Sequence, residues 1–457
     1  MAHDTMVRAA MKDMESAILT LPRIRPLKSP FFLNLDLTNN CNWKCRFCYV
    51  ERDCNARDQY VPYDSFVTIL DRVSSAEVFS VNLFGGEPTL HPRFLDIARY
   101  ARGKGFDVGV VTNGSTLAGY DHNELAEILE GCSISVHGFE DTHDSLTGTG
   151  GSFRSTLDSI EKLSSSKVRV GVCYTYVKEN MAELGRFCEF ILNRFNISTF
   201  SLGRFIPSSS ATRNGLDIAP SVKDLNEGLR TLAAVASKHP SVQFGLGVSV
   251  PYCIIDSDVK QLARSCSAGI SFGAIDIYGN VKICSGSTHV LGNVLEDDLI
   301  RIWQDSEKCR YFRSMEWLDE ECKACNLSQT CLAGCKITRT DKLHFSTDIL
   351  GHLKNNEKLS RRCEVKIRED LETTYLYYRG SVYEANEVSR DILLLSDGSR
   401  DIREVSATIA QKYSVDENLV LRDVIEYRNE YPFLFEQSNI AESSHMIQSP
   451  IRGETTT

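Results

Sequence analysis

Between residues 31 and 207 the sequence alternates strand-like with helix-like runs, and this alternation narrows the possible folds more than any other feature. The strand-like runs are Phe31 to Leu37, Val78 to Phe84, Asp107 to Thr112, Cys132 to Val136, Val168 to Val177 and Thr199 to Phe205. Candidate helices lie between them near 64 to 75, 92 to 103, 122 to 130, 152 to 166 and 182 to 194. Repeated units of this kind predict a parallel sheet with crossover helices, whose active residues gather at the C-terminal strand ends. Six such units make an α/β fold of the partial (β/α)6 TIM-like barrel type.

The first strand runs straight into Cys41, Cys45 and Cys48, in the stretch Asn-Asn-Cys-Asn-Trp-Lys-Cys-Arg-Phe-Cys-Tyr. Three thiols thus stand where a barrel does its chemistry. Three thiolates can hold three corners of a 4Fe-4S cube and leave the fourth iron open, whereas electron-transfer clusters normally close every iron with protein ligands. An open iron can bind and reduce a ligand. A structural zinc site is the competing reading, but zinc normally takes four protein ligands, and only Cys54 stands near enough in sequence to be the fourth.

The C-x3-C-x2-C spacing with its aromatic resembles the signature loop of the radical S-adenosylmethionine (SAM) superfamily. The resemblance implies that Cys41, Cys45 and Cys48 hold the catalytic cluster, whose open iron chelates SAM and cleaves it to a 5'-deoxyadenosyl radical. Gly85-Gly86-Glu87-Pro88, after the second strand, resembles the family's GGE motif, which holds the SAM amino group. Its glycines would let main-chain carbonyls approach a ligand, although a bare turn reads the same way. Thr112-Asn113-Gly114 and Ser133-Ile134-Ser135-Val136-His137-Gly138 also resemble family strand ends, which makes Asn113 and Ser135 candidate SAM contacts. A plain strand exit would use the same residues.

One position departs from the family. Where relatives carry an Arg for the SAM carboxylate, His143-Asp144-Ser145-Leu146 is followed here by Thr147, which cannot form a charge-assisted fork. Arg154 or Arg204 is expected to compensate, with Arg204 favoured by its place on the sixth strand. His137 stands where many relatives have Asp, and reads either as catalytic or as a rim histidine.

A second cysteine region follows. Cys266, twelve residues, Gly279, four residues and Cys284 lead to Cys322-x2-Cys325-x5-Cys331-x3-Cys335 and finally Cys363. This is similar to the seven-cysteine pattern of the SPASM domain, which implies two auxiliary iron-sulfur clusters. The resemblance assigns Cys322, Cys325, Cys331 and Cys363 to one cluster and Cys266, Cys284 and Cys335 to the other. The fourth ligand of the latter stays open, with Cys253 a candidate and an open iron for substrate the alternative. Zinc-ribbon hairpins remain the competing reading, since C-x2-C pairs also bind zinc. Cys54, Cys132, Cys173, Cys188 and Cys309 fit no ligand set and read mostly as packing residues.

Further on, Thr374 to Tyr378, the turn Arg379-Gly380 and Val382 to Ala385 read as a hairpin. Helices are expected at about 387 to 396, 402 to 413 and 417 to 430, with Asp401 and Glu404 as a capping box. A hairpin with three helices suggests a winged-helix-like domain, a type that often binds DNA. Residues 371 to 440 hold seven Lys or Arg against thirteen Asp or Glu, which would repel phosphates. The run from Tyr383 to Arg400 instead resembles the PqqD-like, or RiPP recognition, element, which captures a precursor's leader peptide as an added strand. A cap or dimerisation domain is the plainer alternative.

The expected map is an N-terminal helical segment and linker (1–30), a radical SAM partial barrel (31–230), a SPASM domain (231–365), a PqqD-like domain (366–440) and a disordered tail (441–457). Sixteen cysteines without a secretory-type N-terminus read as metal ligands in a reducing cytoplasm, not as a disulfide framework. The net charge of -10 argues against general nucleic-acid binding, and no apolar run is long enough for a membrane span. The resemblance implies an enzyme that cross-links a ribosomally made precursor peptide, drawing electrons from a flavodoxin- or ferredoxin-like donor. A sulfatase-type maturase, a tetrapyrrole- or quinone-pathway enzyme and a non-enzymatic redox sensor are the alternatives.

Overall fold

The computed structural model describes residues 27–49, 59–206, 218–325, 327–337, 358–362, 364–370, 373–378, 381–431 and 434–435. The expected N-terminal helix, Cys54, Cys363, the Arg379-Gly380 turn and the polar tail lie outside the described residues. The chain divides into two units, Met1–His352 and Leu353–Thr457.

In the first unit the strands are β1 (Phe32–Thr38), β2 (Ser80–Gly85), β3 (Asp107–Thr112), β4 (Gly131–Ser135), β5 (Arg169–Tyr176), β6 (Thr199–Arg204), β7 (Gln243–Leu246), β8 (Phe272–Ile275), β9 (Asn280–Lys282) and β10 (Val290–Asn293). They form one sheet in the order β10-β9-β8-β1-β2-β3-β4-β5-β6-β7. Every pair from β8 through β1 to β7 is parallel, and β9 and β10 run antiparallel. The six expected strands are therefore present, and the sheet continues past both edges. On the β1 side the continuation is built from the second cysteine region.

Strand alternation fixes which side chains face the helices and which the lumen. In β1, Leu33, Leu35 and Leu37 are buried in the helix-facing core while Asn34 and Asp36 take the opposite face. The same parity sends Val81 and Leu83, Val108 and Val110, Ile134, Val172 and Leu202 to the core. It leaves Asn82, Gly109, Ser133, Ser135, Cys173, Thr175, Ser201 and Gly203 on the lumen face. Each buried aliphatic contributes roughly 1.5–3 kcal/mol. A one-residue slip would drive Asn34 and Asp36 into that core, so the pattern pins the register.

The helices Tyr63–Ser75, Phe94–Gly103, His122–Ile128, Ser152–Ser164 and Leu184–Arg194 fall close to the expected positions, and a further helix, Val222–Ala236, precedes β7. An additional helix, Glu140–Thr147, was not expected from the sequence. Its buried residues are His143, Leu146 and Thr147, so two of the three are polar and leave no apolar periodicity to read.

The second unit contains β12 (Lys366–Asp370), β13 (Thr373–Tyr378) and β14 (Ser381–Ala385) as an antiparallel meander, and β11 (Lys358–Ser360) paired with β15 (Asp397–Asp401). Helices Glu387–Leu395, Ile402–Tyr413 and Glu417–Glu430 share a core that includes Leu376, Ile392, Leu393, Val405, Ile409 and Val424. Asp401 caps the middle helix through Arg403 N–H and Glu404 N–H, with Glu404 returning to Asp401 N–H. The expected hairpin gains a third strand, β12. Its Lys-Ile-Arg-Glu-Asp sequence carries one apolar residue, too few to read as a strand.

Candidate functional site

The loop after β1 is held from both sides by backbone. Lys44 N–H donates to Thr147 O at 2.9 Å and Arg46 N–H to Leu146 O at 2.9 Å, so helix Glu140–Thr147 carries the cysteine loop. Asp144 secures that helix end by accepting from Gly151 N–H, Phe153 N–H and Ser152 Oγ. On the other side, Gly86 N–H donates to Thr38 O at 2.7 Å and Glu87 N–H to Asn40 O at 2.6 Å. A Cβ on Gly86 would fall 2.0 Å from Asn40 O, and Gly85 has φ +122 with Thr38 O at 2.3 Å from a Cβ. The two glycines are thus required by the approach of the cysteine loop, a nearer cause than the ligand expected from the sequence. Trp43 is buried and meets His143 edge-on, anchoring the loop between Cys41 and Cys45. Cys41, Cys45 and Cys48 are all half-buried.

Glu87 is wholly buried, and its carboxylate is spent on the protein. It accepts from Thr112 Oγ1 at 2.6 Å, Asn113 N–H at 2.7 Å, Thr89 N–H at 3.1 Å and the Thr89 hydroxyl. Burial pushes its pKa up, and these donors offset part of that cost. Its side chain therefore braces the end of β3. Pro88 opens the short turn Pro88–Leu90, which Glu87 caps. Asn113 in turn donates to Asn42 Oδ1 at 2.8 Å and toward Cys41 Sγ at 3.8 Å. The two strand ends and the cysteine loop form one hydrogen-bonded rim.

Ser135 ends β4 on the lumen face, opposite Cys173 of β5. Arg204 ends β6 and is buried, but alternation puts it with Phe200 and Leu202, opposite the lumen residues Ser201 and Gly203. The rim position alone therefore does not aim it into the lumen as expected. Arg154 is exposed and paired with Glu140. His137 is buried, its Nδ1 accepts from Thr175 N–H at 3.0 Å, and burial holds its pKa well below the usual histidine range. It is a neutral strut between β4 and β5. His143 is likewise neutral, lowered to about 4 by burial, and its Nδ1 accepts from His137 N–H.

The second cysteine region meets the first through the sheet. β8 lies against β1 in register from Phe32↔Phe272 to Leu35↔Ile275, and Cys284 stands two residues beyond β9. Burial raises the Cys284 thiol, and the neighbouring charges of Cys266 and Cys335 raise it further. For Cys322, burial acts first, followed by Cys253 and Cys331 and, more weakly, Cys325. The thiols therefore sort into Cys266, Cys284 and Cys335, and into Cys253, Cys322, Cys325 and Cys331. Tyr252 N–H donates to Cys331 Sγ at 3.2 Å, which ties the turn carrying Cys253 to the latter group. Cys253 thus stands near Cys322 and Cys331.

Tyr49 links the two regions. Burial and then the charges of Cys284, Asp36, Cys48 and Cys335 push its hydroxyl pKa far up, so it lies within reach of both thiol sets. Among the described residues no three Cys, His, Asp or Glu side chains draw together as ligands of one metal ion. The grouped thiols suit the separate irons of iron-sulfur clusters. Cys132, Cys188 and Cys309 are core residues, and Cys173 faces the lumen beside Ser133.

In the second unit β14 is one of the two outer strands of its meander, and among the described residues no further strand pairs with it. Val382 on it is 63% exposed, and Tyr383, Tyr377 and Leu394 are also exposed. An uncovered strand edge flanked by apolar side chains is a template for a further strand. Among the described residues no helix is long and apolar enough to cross a membrane.

Comparison with known proteins agrees with this layout. Residues 35–191 match the radical SAM superfamily, residues 266–326 the iron-sulfur cluster-binding SPASM domain, and residues 370–430 coenzyme PQQ synthesis protein D, PqqD. The tungsten-containing aldehyde ferredoxin oxidoreductase cofactor-modifying protein of Pyrococcus furiosus is 26% identical over 326 residues, 66% of this chain and 88% of its own. The mycofactocin maturase MftC of Mycobacterium tuberculosis is 27% identical over 329 residues, 68% of this chain and 79% of its own. Streptococcus suis SuiB bound to S-adenosylmethionine shares the fold, with a TM-score of 0.58 at 18% identity over 71% of this chain and 77% of that one. The chain thus carries radical SAM, SPASM and PqqD-like domains in that order. This composition implies a SAM-binding 4Fe-4S cluster and auxiliary iron-sulfur clusters.

Proposed function

We propose that this radical SAM enzyme is a cytoplasmic maturase that binds a ribosomally synthesised precursor peptide through its PqqD-like unit and oxidatively cross-links it. The observation that carries the reading is the union, in one chain, of a cysteine-loop barrel, a second set of grouped thiols and an uncovered apolar strand edge. Cys41, Cys45 and Cys48 would hold the catalytic cluster, and Cys266, Cys284, Cys322, Cys325, Cys331, Cys335 and Cys363 the auxiliary ones. When bound, the cluster supplies the electron that splits SAM into a radical able to take hydrogen from an unactivated carbon.

The protein's share is positional. Helix Glu140–Thr147 and the Gly85-Gly86 turn clamp the cysteine loop, while Glu87 fixes Asn113 at the rim. Gly85, Gly86, Asn113 and Ser135 line the side on which SAM would lie, and the small polar lumen residues leave room for a peptide segment. β14 would take up the leader as an added strand, with backbone bonds giving affinity and Val382 and Tyr383 giving apolar contact. The supply of electrons falls to a flavodoxin- or ferredoxin-like partner.

The test is to incubate reduced, reconstituted protein with SAM and the short peptides encoded beside it, and to follow mass. Loss of hydrogen mass from one peptide, with 5'-deoxyadenosine formed in step, is the expected result. A sensor would release no 5'-deoxyadenosine, and a sulfatase-type maturase would leave the peptides encoded beside this chain unaltered.

A further inference from the structure

A charged cluster on the lumen face is used by none of the roles above. Asp36 of β1 lies on the lumen parity between Leu35 and Leu37. The parallel register Leu35↔Ile275 brings it level with Asp276, just past β8. Asp276 is fully engaged: it pairs with Lys282 at 2.8 Å and accepts from Tyr278 N–H, Asn280 N–H and Asn280 Nδ2. One cation thus serves two carboxylates. Asp36 Oδ1 is buried and has no hydrogen-bond partner among the described residues. Next to it on the strand, Asn34 is committed to Ser285 and Asn82.

The groups facing Asp36 are Lys282 from β9, Asp276 from the β8 end and Tyr49 from the cysteine loop. β2 presents only the uncharged Asn82 and Phe84 to this face. A carboxyl buried with so little compensation resists ionisation, and its pKa is pushed up to about 7, chiefly by burial, with Lys282 opposing. Tyr49 feels Asp36 together with Cys48, Cys284 and Cys335. Asp36 therefore lies on the lumen face near the C-terminal end of β1, the end that runs into the cysteine loop.

Resting on the maturase reading, we propose that Asp36 is the base that takes the proton from the peptide's heteroatom during cross-linking. One hydrogen atom leaves a peptide carbon for the 5'-deoxyadenosyl radical, and one proton leaves a peptide X–H group, a thiol, amide or hydroxyl, for Asp36. The resulting anion bonds to the carbon radical, and the surplus electron passes to an oxidised iron-sulfur cluster. A base near its working pKa suits this step, since general bases of this kind contribute about 100-fold or more.

Two measurements test it. Infrared difference titration of the anaerobic holoprotein, without any peptide, should show a protonated-carboxyl band that disappears through neutral pH in wild type and is missing from D36N. Absence of that band in wild type overturns the proposal and leaves the maturase reading in place. With a peptide that wild type converts, D36N should still form 5'-deoxyadenosine and take deuterium from labelled peptide, with cross-linked product down about 100-fold. D36E should recover part of it. The wild-type ratio of product to 5'-deoxyadenosine should rise with pH through about 7. Full coupling in D36N, or a flat wild-type ratio, overturns the assignment, whereas failure of wild type to alter any peptide overturns the maturase reading instead.

Discussion

Replacing Glu87 by Gln should unfasten the rim without changing its shape. Four donors converge on the buried carboxylate: Thr112 Oγ1, Asn113 N–H, Thr89 N–H and the Thr89 hydroxyl. Gln keeps one oxygen, which can satisfy the Thr89 and Thr112 side, but turns its amide nitrogen toward Asn113 N–H. The Asn113 N–H is left an unsatisfied buried donor, a cost of about 1–3 kcal/mol. The protein's three tryptophans, Trp43, Trp303 and Trp317, all lie in the first unit and are all buried. Urea unfolding of the apoprotein followed by tryptophan fluorescence therefore reports that unit alone. SAM binding to the reconstituted variant should weaken as well, because Asn113 loses its fixed backbone. An E87Q midpoint matching wild type, with unchanged SAM affinity, would refute the bracing role.

Gly86→Ala places a methyl 2.0 Å from Asn40 O, so the cysteine loop must shift; about 1–3 kcal/mol of stability and most SAM cleavage should be lost, read by urea unfolding and 5'-deoxyadenosine release. Val382→Glu on the exposed edge of β14 should leave stability within about 0.5 kcal/mol and peptide-independent SAM cleavage intact. Its leader-peptide affinity, measured by fluorescence anisotropy, should fall about tenfold, the cost of about 1.4 kcal/mol. His143 is held neutral, from 6.5 down to about 4, so the unfolded chain binds the extra proton first as pH falls. Its contribution, about 3 kcal/mol, is present above 6.5 and is lost as pH drops toward 4. H143N, which keeps an acceptor for His137 N–H, should flatten that slope in tryptophan-monitored unfolding.

The six barrel strands were legible because each alternates a β-branched or aliphatic core face with small or polar residues. The same alternation in Phe-Leu-Asn-Leu-Asp-Leu-Thr marks Asp36 as an ionisable residue on the lumen face, a signal that motif reading passed over. Helix Glu140–Thr147 stayed hidden because hydrogen bonds to the cysteine loop, not apolar spacing, justify it. Spacing also could not reveal that β8 joins β1, since that contact spans more than two hundred residues of sequence. For the same reason the thiol groups could be guessed from family pattern, while the position of Cys253 beside Cys322 needed the fold. The roles of Glu87 and Arg204 turned on side-chain direction, which residue type and motif leave open.

The most direct test is electron paramagnetic resonance of the anaerobically reduced holoprotein with and without SAM, alongside a variant in which the auxiliary thiols Cys284 and Cys322 are replaced by Ala. The cluster at Cys41, Cys45 and Cys48 should remain in the variant, and its signal should change when SAM is added. A signal indifferent to SAM, or lost with the auxiliary thiols, would contradict an open iron held by this loop.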